Sequence, residues 1–375
     1  MHGEPGSGRE RGRPPRPPPH PRPTPTRPDR PKERDLDERA PPRRTVPCTG
    51  AAVLTLAVTD PNVWFLLVAA VFAVLNGVND GGTLLTLGLK VVGLRLVIAL
   101  VLLAIMVGLV PALLGTQVAS TLAGRLVAFE GPLGQQGLLI GVAGAVIVTM
   151  GLARSGLPTS LTLALIGGIA GVGLGAGLPV DYGVVGAVLL AAAAAPLVGA
   201  LLAYVLSQGA LHVRLNGDTT RFVARAHRVA FGLQAVAYGA NDGQKMLAVA
   251  AVAAGFAVDP VPRNPWMLIG AALAFGLGTL LGLRRFSRIV GGVIPIRPPN
   301  AVIGELSAAA AVLGSAALGA PVSMTQAISG GLVGTGVSEG YRRVRWNVAG
   351  QILVAWVVTF PLAFALAAAG GLVLR

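Results

Sequence analysis

The sequence predicts an all-α integral membrane protein, and three observations carry that prediction: the composition, the spacing of apolar segments and an internal duplication. Hydrophobic residues make up 53% of the 375 residues and charged residues only 12%, against roughly 25% charged in soluble chains. The 52 glycines and the 5% aromatic content suit helices that pack closely in lipid. These figures exclude a soluble enzyme and a nucleic-acid-binding domain. With Cys48 as the single cysteine, they also exclude a disulfide scaffold.

Residues 1–50 differ in composition from the rest of the chain. They hold 14 of the 28 prolines and 12 of the 30 lysines and arginines, and no long apolar run. Such a stretch cannot bury enough apolar surface to offset the entropy lost on ordering, so we expect a disordered Arg/Pro-rich tail. Two interpretations stay open: a tail that is non-functional or untranslated, and a basic arm that binds a membrane surface or a partner.

From residue 51 onward the chain is almost continuously apolar, with short polar breaks. Most of the apolar segments are long enough to span about 30 Å of hydrocarbon as a helix, and helices leave no unpaired backbone facing lipid. The ten candidate segments are 62–89, 92–115, 136–153, 157–177, 182–207, 224–257, 266–283, 301–318, 320–338 and 346–370. We therefore expect about 10–12 transmembrane helices in a multi-pass protein of the plasma membrane.

Two motifs occur twice at almost the same offset. The Asn-Asp motif at 76–81 returns at 238–243, which is 162 positions later, and the Pro-Ser-Thr motif at 156–162 returns at 319–325, which is 163 positions later. Two motif pairs with nearly one offset indicate a duplicated unit.

The duplication divides the chain after its tail. We expect a first transmembrane repeat over 51–207, a polar connecting loop over 208–223 and a second repeat over 224–375. Five crossings in each copy, an odd number, predict that the second copy is inverted. Most basic residues between the helices then fall on one side, the cytoplasmic side by the positive-inside rule. Inverted repeats with broken helices are typical of secondary transporters, whose binding site lies where the breaks meet.

The duplicated Asn-Asp motif places one ionisable residue inside the membrane in each copy. Asp80 follows Asn79, and Asp242 follows Asn241. A charged residue there costs several kcal/mol, so it is a functional candidate, and we assign both aspartates to cation coupling and both asparagines to substrate binding. We expect the flanking glycines to let the helix unwind and free its backbone groups. The alternative is an Asp that caps a helix at the membrane boundary, which the duplication disfavours.

Hydroxyl side chains follow the proline of the second motif. Beside a helix N-terminus they can form a small oxyanion site, because the helix dipole favours negative charge there. The candidates for substrate binding are Ser160, Thr162, Ser323 and Thr325. The alternative is that they bond a backbone carbonyl of their own helix or bridge two helices.

Three further polar residues are candidates. Gln244 and Lys245 follow the second Asn-Asp, where Lys245 can pair with Asp242 or bind an anion, and both are assigned to substrate binding. Glu305 lies in an apolar segment. It is either a proton-coupling group, hence a third cation-coupling candidate, or a carboxyl neutralised by a neighbour such as Arg297.

The histidines and the cysteine do not indicate a metal site. No His, Cys, Asp or Glu cluster has metal-ligand spacing. The histidines His2, His20, His212 and His227 are assigned to the tail or to the central polar break. We expect no metal and no cofactor, only a coupling cation, H⁺ or Na⁺.

With these motifs the chain resembles the inorganic phosphate transporter (PiT) family. The family's duplicated Gly-Ala-Asn-Asp motif continues Gly-Gln-Lys in the second copy of bacterial members, and residues 239–245 reproduce that copy in full. The first copy, 77–80, reads Gly-Val-Asn-Asp. The family's Pro-Val-Ser-Thr-Thr-His is similar to 321–326, with Gln326 in place of His, and more loosely to 158–163, with Leu163 there. The resemblance covers roughly residues 60–370.

The resemblance implies cation-coupled uptake of inorganic phosphate by alternating access around a central site. It also implies a possible cytosolic accessory protein. As further partners we expect membrane lipid and a possible homo-oligomer. Two alternatives stay open: a permease for sulfate or another oxyanion on the same fold, and a non-transporting membrane scaffold or sensor.

Overall fold

The structure is a computed structural model that describes residues 61–375 apart from 90, 92, 155–158, 213–217, 257–259, 291–293 and 295. The predicted tail, residues 1–50, lies outside the described residues, as does the proline of the motif at 156–162. The helices are α1 (Pro61–Asn76), α2 (Gly82–Gly88), α3 (Leu96–Leu114), α4 (Gln117–Ser120), α5 (Gly131–Arg154), α6 (Leu161–Ala176), α7 (Tyr182–Leu211), α8 (Thr219–Tyr238), α9 (Gln244–Ala253), α10 (Pro265–Val290), α11 (Pro298–Ala317), α12 (Met324–Glu339) and α13 (Trp346–Gly371).

All ten predicted segments coincide with helices, which confirms an all-α membrane protein. Within the described ranges, seven helices are long and apolar enough to cross a membrane: Val63–Gly88, Leu96–Leu114, Gly131–Arg154, Tyr182–Leu211, Pro265–Leu283, Pro298–Ala317 and Trp346–Leu374. The other predicted crossings are α6, α12 and the α8–α9 pair. Helices α6 and α12 have 16 residues each, about 24 Å at 1.5 Å per residue, which is too short to cross unaided.

The polar connection between the two copies is shorter than predicted. Helix α7 continues to Leu211, and α8 begins at Thr219 rather than at 224. It begins there because the Asp218 carboxylate accepts the backbone N–H groups of Thr220 and Arg221 at 3.0 and 3.2 Å, as an N-cap does. The arginines of the first turns stay on the exposed face of α8.

Each Asn-Asp motif forms a π-helical turn rather than an unwound segment. Gly77–Gly81 joins α1 to α2, and Gly239–Gly243 joins α8 to α9. The expectation that the glycines unwind the helix is wrong in this respect. A π-turn widens the helix by one residue, a distortion that recurs at functional sites.

The glycines of these turns instead allow close contact with a helix of the other copy. A Cβ on Gly77 would collide with the Phe275 carbonyl of α10, and a Cβ on Gly239 would collide with the Met106 carbonyl of α3. We keep the name broken helix for α1–α2 and for α8–α9, each interrupted only by its π-helical turn. Each broken helix is held by the helix that follows the broken helix of the opposite copy.

The short helices also exchange partners between the copies. Helix α6 packs most extensively against α13, and α12 against α7. Gly167 and Gly171 abut the backbone of α13, and Gly330 and Gly334 abut that of α7. These glycines let the backbones approach closely. The described residues accordingly belong to one unit of the fold, in which the order of elements repeats; the inverted orientation of the two copies stays a prediction.

Replacing a glycine at this crossing tests the contact. We expect Gly239→Ala to lower the free energy of unfolding by about 1–3 kcal/mol, as overpacking does, because its Cβ meets the backbone of α3. The matched control is Gly232→Ala, seven residues earlier in α8, where a Cβ meets nothing within 4 Å. That change is expected to be neutral or to stabilise by up to about 1 kcal/mol through helix propensity. Thermal unfolding in detergent measures both, and equal effects would contradict the close contact.

Candidate functional site

The second Asn-Asp motif forms the centre of a buried polar cluster, which we call the central cluster: Thr162, Asn241, Asp242, Lys245 and the backbone of Val322. The Lys245 ammonium donates to Asp242 Oδ1 at 2.7 Å, to Thr162 Oγ1 at 2.7 Å and to the Val322 carbonyl. Asn241 binds the Val322 backbone from both sides, with Nδ2 donating to the carbonyl at 2.6 Å and Oδ1 accepting the N–H at 3.1 Å. Of the two interpretations of Lys245, this structure has the ion pair with Asp242.

The central cluster lies where two helices begin. Ser160 caps α6 by accepting the N–H of Leu163 at 3.2 Å, and Ser323 caps α12 by accepting the N–H of Gln326 at 3.4 Å. One residue before Ser323, the Val322 carbonyl accepts the Thr162 hydroxyl at 3.2 Å, so the two N-termini meet. Two helix N-termini and an ammonium at one point favour an anion.

The fourth hydroxyl candidate lies in the first turn of α12. Thr325 is half-buried, and its hydroxyl lies 2.9 Å from the Ser323 hydroxyl. The structure thus brings the four predicted hydroxyl residues to the two helix starts that meet at the central cluster.

The first Asn-Asp motif has a different environment. Asn79 Nδ2 donates to Asp80 Oδ1 at 2.8 Å, and Asp80 is buried, within electrostatic range of Asp242 and Lys245. The residue three positions after Asp80, where the second copy has Lys245, is Thr83, whose hydroxyl donates to the Asn79 carbonyl at 3.1 Å. The two copies therefore differ in charge: Asp242 has a lysine partner, and no salt bridge to Asp80 forms among the residues described.

Gln244 supports the site from outside the central cluster. Its side-chain oxygen accepts the backbone N–H groups of Val118 and Ala119 at 2.8 and 3.3 Å. These are N–H groups at the start of α4, which have no partner within that helix. The geometry therefore makes Gln244 a link between the broken helix and the 117–125 segment.

Glu305 does not lie in the central cluster, and its partner differs from the predicted Arg297. Its Oε2 lies 2.9 Å from Nδ1 of His227, and both side chains are fully buried. Arg297 instead approaches Glu339 at 3.9 Å. The assignment of His227 to the central polar break is wrong, because α8 begins eight residues earlier and turns this histidine toward α11. The charged residues around it misled the sequence interpretation.

Sequence reasoning also missed polar side chains on the buried face of α8. Gln234 and Tyr238 are buried, and the Gln234 amide and the Tyr238 hydroxyl have no hydrogen-bond partner among the described residues. The spacing 227, 234, 238, 242 places all of them on one helical face, a signal that was present in the sequence. Within the same ranges, no group of three or more His, Cys, Asp or Glu side chains could hold a metal ion.

Buried charged residues beside paired helix N-termini, in a multi-pass helical protein, form the kind of interior polar site that membrane transport proteins use for ions. Comparison with known proteins is in agreement. The chain belongs to the phosphate transporter family, which matches residues 76–367.

Individual relatives extend over most of the chain. A "Probable low-affinity inorganic phosphate transporter" of Mycobacterium bovis is 34% identical over 315 residues, covering 79% of this chain and 73% of the relative. A protein of the same description from Bacillus subtilis is 28% identical over 310 residues, covering 80% of this chain and 93% of the relative. The chain is thus a multi-pass member of a transporter family and not of an enzyme family.

A solved structure, "The sodium-dependent phosphate transporter", has the same fold. It superposes with a TM-score of 0.73 at 18% sequence identity and covers 84% of this chain and 98% of its own. At this identity the likeness supports the fold alone.

Proposed function

We propose that the chain carries inorganic phosphate across the membrane together with a cation, H⁺ or Na⁺. The observation that carries the proposal is the Lys245 ammonium held at the point where the N-termini of α6 and α12 meet. Family membership supports phosphate as the substrate. Lys245, Asn241 and the hydroxyls at the two helix starts would donate to the phosphate oxygens.

Charge explains why a cation is needed. With both carboxyls ionised, Asp80, Asp242 and Lys245 together carry one net negative charge. A phosphate anion entering this region is repelled, since like charges interact strongly in a low-dielectric site. A cation at Asp80 removes that repulsion, and it also lowers the cost of leaving a buried carboxylate unpaired. We therefore assign Asp80 as the principal coupling residue. The charge of Asp242 is instead balanced by Lys245.

Coupling follows because each ion improves the binding of the other. In the proposed cycle, the cation binds at Asp80, and phosphate then draws Lys245 away from Asp242. The exchanged packing of α6 with α13 and α7 with α12 argues against one repeat rocking as a unit against the other. We propose that the bodies that move combine helices of both copies around the central site, with the copies inverted in the membrane. Membrane lipid, a homo-oligomer and an accessory protein stay predictions.

Uptake of labelled phosphate into proteoliposomes tests the proposal. We expect accumulation when either an inward Na⁺ gradient or an acidic exterior is imposed, and little competition from sulfate in excess. Uptake that sulfate suppresses as strongly as unlabelled phosphate does would favour the oxyanion permease. Absence of flux for either anion under either gradient would overturn transport and favour the membrane scaffold.

A further inference from the structure

A buried histidine–glutamate pair lies apart from the central cluster and contacts the broken helices of both copies. His227 of α8 contacts Glu305 of α11 through Nδ1, at 2.9 Å, and its Nε2 lies 2.7 Å from the carbonyl of Gly88. Gly88 is the last residue of α2. The histidine thus ties the end of the first copy's broken helix to the broken helix of the second.

The hydrogen-bond geometry fixes how many protons the pair holds. The Gly88 carbonyl can only accept, so Nε2 carries a proton. The contact between Nδ1 and Oε2 needs a second proton, which lies on either the imidazole or the carboxyl. The pair is neutral overall in both cases. Without the shared proton, a lone pair on Nδ1 would face a buried carboxylate, so the contact and the proton are lost together.

Among the described residues, no other charge is placed to replace that proton. Of the elements that pack against α8, α11 brings only Glu305 as a titratable side chain and α3 brings none, while the π-turn after α8 brings Asp242 at the far end of the helix. Residues 82–88 of α2, which contact α8 through Gly88, bring none. Arg225 and Arg228 of α8 itself are exposed. In addition, Glu305 Oε1 is buried without a hydrogen-bond partner among the described residues, which leaves this carboxyl only partly satisfied and favours the neutral, protonated pair.

The buried face of α8 continues from this pair toward the central cluster. Gln234 and Tyr238 lie between His227 and Asp242, a distance of about 22 Å along the helix at 1.5 Å per residue. The amide and the hydroxyl are buried without partners in the described structure, and burying such groups without a hydrogen bond is destabilising. Buried polar groups without partners are rare enough to need an explanation. Here the two side chains form a polar row between the His227–Glu305 pair and the central cluster.

We propose that His227 and Glu305 form a second proton-binding site of the transport cycle, remote from Asp80 and linked to the position of α2. The proposal rests on the proposed function, since it gives that transporter a transported proton. Release of the shared proton breaks the contact between Nδ1 and Glu305 Oε2, which orients the imidazole. The ring then no longer holds Nε2 against the Gly88 carbonyl, so α2 and α8 separate. Proton binding at this pair is thereby coupled to movement of the two broken helices.

The Glu305→Gln variant separates proton-driven accumulation of phosphate from the movement of phosphate across the membrane as such. Its amide can donate to Nδ1 while Nε2 still donates to Gly88, so the variant imitates the protonated pair without binding a proton. We expect phosphate accumulation driven by an acidic exterior to fall at least about tenfold, as loss of a coupling free energy requires. Exchange of labelled for unlabelled phosphate with no gradient is expected to stay within about threefold of the wild type, because exchange needs no net proton movement.

The matched control is Glu339→Gln, which removes a carboxylate that is only partly buried near Arg297; it should keep both activities. Equal loss of accumulation and exchange in Glu305→Gln would overturn the proton site and leave a structural pair. Unchanged accumulation would overturn it as well. If Glu305→Gln does not fold, Glu305→Asp retains a titratable carboxyl and should accumulate phosphate with a displaced pH profile; an unchanged profile contradicts the proposal.

Wild-type behaviour distinguishes this inference from the proposed function. Uptake driven by Na⁺ and indifferent to pH overturns the second proton site alone. No phosphate flux in any gradient overturns both.

Discussion

Substituting asparagine at the two equivalent aspartates is expected to have opposite effects on stability. Asp80 is buried with Asn79 as its hydrogen-bond partner and has no basic side chain in a salt bridge with it among the described residues. Asp80→Asn removes an uncompensated buried charge, so we expect an unchanged or raised thermal midpoint. Asp242→Asn leaves the buried Lys245 ammonium without its carboxylate, and breaking such a pair costs about 3–5 kcal/mol.

Gradient-driven accumulation is expected to fail in the variant that is the more stable of the two. If Asp80 binds the coupling cation, Asp80→Asn abolishes accumulation because the amide does not bind the cation, while phosphate exchange persists because the amide, like a carboxylate with its cation, does not repel the anion. Uptake in proteoliposomes and thermal unfolding in detergent measure the two effects. An Asp80→Asn protein that accumulates phosphate normally with unchanged ion dependence would contradict the assignment.

The control for these variants is Asp181→Asn, because Asp181 is an exposed carboxylate that caps α7. It should keep transport and change stability little, because asparagine caps a helix about as well as aspartate does. Loss of transport there would show that removing an exposed carboxylate is enough to abolish it, and would contradict a specific role for Asp80.

The elements that lipid and duplication enforce were predictable from the sequence. Long apolar segments must be helical in a membrane, and the offset of 162 positions brought Asp80 and Asp242 forward as equivalent residues. The same offset places Thr83 opposite Lys245, so the charge difference between the copies was visible in the sequence. Its consequence, one paired and one unpaired carboxylate, required the distances.

Contacts between distant segments were not predictable in this way. Asn241 binds the backbone of Val322, which is 81 positions away, and backbone partners leave no mark in residue types. His227 looked like part of a polar break because arginines surround it, and only the start of α8 at Thr219 turns it inward to Glu305. The π-helical turns are similarly hidden, since glycine is equally compatible with unwinding and with the close approach of α3 or α10.

Removing Lys245 is expected to have the largest effect on the molecule. Its ammonium has three acceptors, which belong to the first copy's α6, to the segment before α12 and to its own broken helix. Lys245→Met leaves Asp242 as an unpaired buried carboxylate, which is expected to destabilise by about 3–5 kcal/mol. It also removes the positive charge that meets the phosphate, so transport should be lost.

The double variant Asp242→Asn with Lys245→Met separates these two consequences. Removing both charges together is often neutral or stabilising, so we expect most of the lost stability to return while phosphate transport stays absent. A double-mutant cycle on the thermal midpoints then gives the coupling between the two residues. Additive losses in that cycle would contradict the buried ion pair, and recovery of transport in the double variant would show that phosphate binds without Lys245. We therefore expect Lys245 to be replaceable for folding but required for transport. In the second copy its ammonium provides the positive charge that, in the first copy, a cation bound at Asp80 has to provide.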